Sequence, residues 1–162
     1  MIGNAFQEKY NKNGPSLVAI SGRTAFVGLP YASNEGDPDC CPGGSASVYY
    51  LNNYNFWVKV EDPFTLLDAN EPPLEFGNYV FIDGDLACVG EMHSIHLFHR
   101  EGDKWVQFDN IALHSPTCSI AGNTIAVYGN DENLGDDILR IYRYDQGSNG
   151  IVPLQDQSAF QD

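Results

Sequence analysis

The stretch FGNYVFIDGDLACVGEMHSIHLFHREGDKWVQF, Phe76 to Phe108, reads as four short strands joined by tight turns. NYVFI is followed by the turn Asp83-Gly84-Asp85, then LACVG, a short link, IHLFHR, the turn Glu101-Gly102-Asp103 and KWVQF. Runs rich in Val, Ile, Phe, Tyr and Trp, bounded by Asp-Gly or Gly-Asp, are the strongest local signal for consecutive hairpins.

The same pattern recurs on both sides. With Gly22, Gly84 and Gly122 in one column, LVAIS, YVFID and CSIA stand before the glycine, and RTAFVG, DLACVG and NTIAVYG after it. The third copy carries one extra residue, Tyr128, which reads as a bulge. The later halves VYYLN, HLFHR and IYRYD place Tyr50, Phe98 and Tyr142 in one aromatic column. A last strand then begins at Trp57, Trp105 and Ile151; Pro153 within it suits an edge strand, where no ladder hydrogen bond is lost.

The copies are spaced by 62 and then 38 residues, because two insertions lengthen the first interval. These are the loop Tyr31 to Gly44 and the connection LLDANEPPLE, both polar and turn-rich, hence surface loops. A period of about 40 residues with four strands per period is the signature of a propeller blade. The expected fold is therefore all-β, a β-propeller-type repeat of three four-stranded antiparallel blades in an incomplete ring. The units run 16–63 (with an acidic loop at 31–44), 76–110 and 111–156, with a linker at 64–75 and tails at 1–15 and 157–162.

Rings of this kind close with about four to eight blades. Three would leave two apolar outer faces bare, and such faces usually mark partner surfaces. Pairing into a six-bladed ring, covalent extension in a longer chain, and head-to-tail filament growth all satisfy that need.

Composition narrows the function classes. Eight Lys and Arg against 22 Asp and Glu give a formal charge of −14, which disfavours nucleic acid and anionic membranes. No apolar run reaches the 18 residues of a membrane span, and MIGNAFQEKY shows no signal-peptide pattern.

On these motifs the chain resembles the FG-GAP repeat family, the blade type of integrin α-chain propellers and of many bacterial and algal surface proteins. Phe76-Gly77 matches the family's FG, Asp83-Gly84-Asp85 its turn and Val89-Gly90 the end of its second strand; Val27-Gly28-Leu29-Pro30 is similar to its second half-motif. The first and third copies lack Phe-Gly at the matching place, and neither holds the family's usual calcium loop. The resemblance implies binding rather than catalysis, at a cell surface or outside the cell. The expected function is a non-enzymatic assembly or adhesion module, acting as a homo-oligomer or longer assembly. A lectin-like or calcium-dependent propeller binding a carbohydrate or protein ligand is the second reading.

Candidate sites follow from residue type. Tyr31, Glu35, Asp37 and Asp39 mark the long loop as a ligand or partner loop. Asp131, Asn133, Asp136 and Asp137 in NDENLGDD are candidate calcium ligands, although they do not keep the alternating spacing calcium loops use. His96 and His99 point to opposite faces of a strand, so His93, His96 and His99 cannot meet one metal; scattered surface histidines are expected, with His114 apart. Trp57 and Trp105 are expected between blades. Adjacent Cys40 and Cys41 would strain a bond to each other. Cys88 and Cys118 fall in predicted strands, where free buried thiols are the common state; a disulfide joins them if their strands face each other. No nucleophile motif or triad signal is present, so no catalytic residue is assigned.

Overall fold

The computed structural model describes residues 17–30, 44–60, 64–65 and 75–158. Within them the chain is all-β, built as three antiparallel four-stranded sheets and no helix. Sheet 1 holds β1 (Leu17–Ser21), β2 (Thr24–Leu29), β3 (Ser45–Leu51) and β4 (Trp57–Lys59) in sequence order. Sheet 2 holds β6 (Tyr79–Asp83), β7 (Leu86–Gly90), β8 (Ser94–Glu101) and β9 (Lys104–Ala112), extended at its edge by the two-residue β5 (Phe64–Thr65). Sheet 3 holds β10 (His114–Ala121), β11 (Thr124–Asp131), β12 (Asp136–Asp145) and β13 (Gly150–Ser158).

The first hairpin of each sheet turns on the aligned glycine. Gly22, Gly84 and Gly122 take φ of 56°, 59° and 57°, and each opens a two-residue loop. Positive φ at the first central position is what a type II′ turn demands, and glycine adopts it without a Cβ clash. Consecutive sheets are tied through these turns. The Gly84 N–H donates to Ser21 Oγ at 3.0 Å, and the Gly122 N–H donates to Asp83 Oδ2 at 2.8 Å. The residue before one glycine thus caps the turn of the following sheet.

Sheet 2 is packed on both faces. Strand alternation sends Val80, Ile82, Ala87, Val89, Phe98 and Trp105 towards sheet 1, where they meet Phe26 and Val48. It sends Leu86, Cys88, Ile95, Leu97 and Ile111 towards Cys118, Ile120, Ile125, Val127 and Ile138 of sheet 3. Trp105 is fully buried edge-on to Phe26, with centroids 5.0 Å apart, and its Nε1–H donates to Tyr50 Oη at 3.0 Å. That contact satisfies the indole's one polar group inside the core. The expected inter-sheet role thus applies to Trp105, whereas Trp57 is half-buried on the far side of sheet 1.

The Phe76-Gly77 pair has a physical explanation. Phe76 is buried against Phe64 and His96. Gly77 passes so close to sheet 1 that a methyl group there would run into the Ser45 carbonyl, and one on Gly28 would run into the Gly77 carbonyl. The two glycines let the backbone enter sheet 2 at contact distance from β2 and β3.

Two sequence expectations change. The aromatic column is shifted by one residue in the first copy. Ala25, Ala87 and Ile125 pair across the ladder with Tyr49, Phe98 and Tyr142, so Tyr49, not Tyr50, is the equivalent residue. A one-residue slip flips a side chain to the other face, and Tyr50 accordingly points into the core between sheets 1 and 2. The connection before sheet 2 is also more than a linker: Phe64–Thr65 pairs parallel with β9, held by the contacts of the Phe64 ring with Phe26 and Phe98.

Candidate functional sites: a bare sheet face and a histidine–glutamate cluster

The first site follows from the corrected columns. Val18, Ile20, Ala25, Val27, Tyr49 and Trp57 of sheet 1 stand where sheet 2 has Val80, Ile82, Ala87, Val89, Phe98 and Trp105. In sheet 2 this face is covered by sheet 1, and in sheet 3 its counterpart, with Cys118, Ile120, Ile125 and Val127, is covered by sheet 2. In sheet 1 no other described sheet packs on it. Val18 and Ile20 are 67% and 62% exposed, against 6% and 4% for Val80 and Ile82. Tyr49 is itself buried, so the bare strip lies over β1.

The opposite end of the stack differs. Sheet 3 turns Ala126, Tyr128, Leu139 and Ile141 outward, in the columns through which sheet 2 presents Cys88, Gly90, Ile95 and Leu97 to sheet 3. Thr124 and Arg143 flank them, and Ala121 replaces the turn-capping Ser21 and Asp83. This face is apolar in its centre and polar around it.

The second site lies where sheets 2 and 3 meet. His93 sits in the β7–β8 link, His114 opens β10, and Glu132 lies in the β11–β12 turn. The Leu113 N–H donates to the His93 carbonyl at 3.0 Å and the Ser115 N–H to the Met92 carbonyl at 2.9 Å, locking the two histidine segments side by side. The β10 register shifts between His114 and Thr117, with Ser115 at φ 49°. Bulges of this sort re-aim the neighbouring side chain. The two imidazole Nδ1 atoms are 3.3 Å apart, and Glu132 Oε1 is 3.6 Å from His93 Nδ1 and 3.7 Å from His114 Nδ1. The three side chains border a cleft of about 190 Å³ that also touches Asp131 and Asn133.

The acidic run around Glu132 is divided by its structural duties. Asp131 accepts from the Asn133 N–H at 3.0 Å and from Arg140 Nη2 at 2.6 Å. The Asn133 hydrogen bond, with help from Arg140, holds its carboxyl below the usual aspartate range. Asp137 lies on the outward face, where it accepts from Tyr128 Oη and Asn130 Nδ2. Asp131 and Asp137 thus turn to different partners, and among the described His, Cys, Asp and Glu residues the histidine–glutamate cluster is the one group of three close ligand-type side chains. Tyr31, Glu35, Asp37 and Asp39 lie outside the described residues, as do Cys40 and Cys41.

The histidines are not scattered singly over the surface: His93 and His114 are exposed but paired, and the other two lie inside. His96 is buried beside Phe76, and His99 lies against Phe108 and Tyr144 on the other face. Ser94, His96 and Glu91 form a second polar cluster: Ser94 Oγ donates to Glu91 Oε1 at 2.6 Å, and His96 Nε2 is 3.4 Å from Ser94 Oγ and 3.7 Å from Glu91 Oε1. Burial pushes the Glu91 carboxyl up, but the nearby His96 and the hydrogen bond from Ser94 outweigh it and hold it below the usual range. This is not a nucleophile–base–acid relay. Serine and carboxylate share one side of the ring, and His96 Nδ1 is buried with no hydrogen-bond partner, whereas a relay needs a carboxylate there.

Cys88 of β7 and Cys118 of β10 face each other across sheets 2 and 3 and are joined as a disulfide. They are not the free thiols common for buried strand cysteines; the two inward faces bring them together.

No protein-family model matches the chain, and no curated protein matches it significantly.

Proposed function

We propose that the chain is a non-enzymatic, β-propeller-type module that assembles through protein–protein contacts of its sheet faces. The observation that carries this reading is the difference between Val18 and Ile20, which are mostly exposed, and Val80 and Ile82, which occupy the same columns in a covered sheet. The β1 strip of this face, in columns that are buried in the other two sheets and exposed here at Val18 and Ile20, is the docking surface. Its occupant is the outward face of sheet 3 in a second copy, because Ala126, Tyr128, Leu139 and Ile141 hold the columns that cover such a face inside the chain. Two copies joined this way, each using both faces, make a six-sheet ring; contacts that do not close make a filament. Ala121 cannot cap a neighbour's Gly22 turn as Ser21 and Asp83 cap the internal ones, so the contact between copies is weaker than those within the chain.

The FG-GAP resemblance supports the same reading, since blades of that class serve binding rather than catalysis. The Cys88–Cys118 disulfide suits an oxidising compartment and supports action at a cell surface or outside the cell.

A complementation experiment tests the proposal. Ile20→Asp spoils one face and Ile141→Asp the other. Each variant alone should be monomeric, while a mixture of the two should form dimers through the one pair of intact faces. Association that Ile20→Asp abolishes and Ile141→Asp leaves untouched would replace this arrangement with a symmetric contact of two sheet 1 faces.

A further inference from the structure

We infer that His93, His114 and Glu132 form a binding site for a zinc-class divalent cation, clamping sheet 2 to sheet 3. His93 Nδ1, His114 Nδ1 and Glu132 Oε1 are separated by 3.3, 3.6 and 3.7 Å. The point in their plane equidistant from the three corners lies about 2.0 to 2.1 Å from each, and an ion drawn out of that plane towards solvent, as tetrahedral coordination requires, stands only slightly farther, near the zinc–imidazole and zinc–carboxylate distances.

Donor chemistry agrees. Two imidazoles and one carboxylate are a borderline set that suits zinc and its neighbours in the transition series, while magnesium and calcium select all-oxygen shells. Both rings turn the same nitrogen, Nδ1, to one point. The solvent side of the cleft leaves room for a fourth, water ligand, as in zinc sites with three protein ligands.

The scaffold holds the ligands before any ion arrives. The two backbone hydrogen bonds between the β7–β8 link and the start of β10 fix the imidazoles relative to each other. The Glu132 turn is fixed by Asp131, whose carbonyl accepts from the Leu134 N–H at 3.0 Å and the Gly135 N–H at 2.7 Å, and whose carboxylate is held by Arg140. The ligands come from three segments of two sheets, so an ion would cross-link the junction that the disulfide also spans.

The test is titration of the intact, oxidised chain with zinc chloride, read by calorimetry and by imidazole nitrogen NMR. The expected result is one zinc per chain at this site, with the Nδ1 signals of His93 and His114 moving together. His114→Ala and Glu132→Gln should each weaken binding at least tenfold, as loss of one of three ligands requires. Both variants should keep the native circular dichroism, because the side chains are exposed. No zinc binding at about 100 µM free metal, a physiologically generous concentration for such sites, would overturn the inference. Zinc bound with unchanged affinity by both variants would overturn it too, placing the metal on other ligands. Competition by equimolar calcium would refute the assignment of metal class.

Discussion

Ile20 and Ile82 occupy the same column of two similar sheets and differ in whether that face is covered, so alanine at each should give opposite phenotypes. Ile82 is 4% exposed among Val80, Phe98 and Trp105. Truncation to alanine removes buried methyl groups and leaves a cavity, which costs about 2–5 kcal/mol of folding stability. Ile20 is 62% exposed, so most of its side chain has nothing to lose on truncation and the folding cost should be below about 1 kcal/mol. Full burial of such a side chain is worth about 1.5–3 kcal/mol. Docking that covers Ile20 as Ile82 is covered would recover a little over half of this, about 1–2 kcal/mol per contact. Ile20→Ala should then raise the dissociation constant by about 5- to 30-fold for each contact, and by the square of that factor for a two-copy ring closed by two contacts. Urea unfolding at low chain concentration reads the first quantity, and sedimentation equilibrium reads the second. Equal destabilisation by the two variants, or association indifferent to Ile20→Ala, would refute the equivalence of the columns.

Three further predictions concern the junctions and the polar cluster. Gly77→Ala should destabilise the chain by about 1–3 kcal/mol or more, because the added methyl meets the Ser45 carbonyl on a backbone at φ 91°; thermal unfolding measures it. Reduction of Cys88–Cys118, which closes a sequence separation of 30, should cost about 2–4 kcal/mol, read as a lower melting temperature in reductant. Glu91 has a lowered pKa in the folded chain, so its stabilising contribution is present above its ordinary value of 4.5 and is lost as pH falls through the lower folded value. Glu91→Gln should therefore be less stable than the native chain near neutral pH, with the gap shrinking below about pH 4; an unchanged gap would deny the carboxylate its hydrogen-bonded role.

The sequence carried the sheets well because their signals are local. A glycine that opens a two-residue turn, flanked by alternating apolar residues, states both the hairpin and its inward face, and Gly22, Gly84 and Gly122 do this identically. The aromatic column failed in the first copy because adjacent Tyr49 and Tyr50 both satisfy it. Only pairing with Ala25, more than twenty residues earlier in the sequence, sets the phase. Strand β5 was hidden because two residues are too few for any periodicity; its stability comes from the Phe64 ring in the core.

The histidine–glutamate cluster was not legible at all. Its members are drawn from two connections and the start of β10, and the bulge that aims His114 has no residue-level signature. The acidic run containing Glu132 drew attention for its many carboxylates. Asp131 and Asp137 are instead committed to Arg140, Tyr128 and Asn130, and the free carboxylate beside the histidines is the one between them.

Coverage of the Val18 and Ile20 strip of sheet 1 by another copy is the central proposal. Sedimentation velocity of the native, oxidised chain across about 1–100 µM, the range in which contacts of modest area assemble, addresses it directly. Particles of two or more chains that dissociate on dilution are the predicted result. A single species with the mass of one chain throughout that range would contradict it.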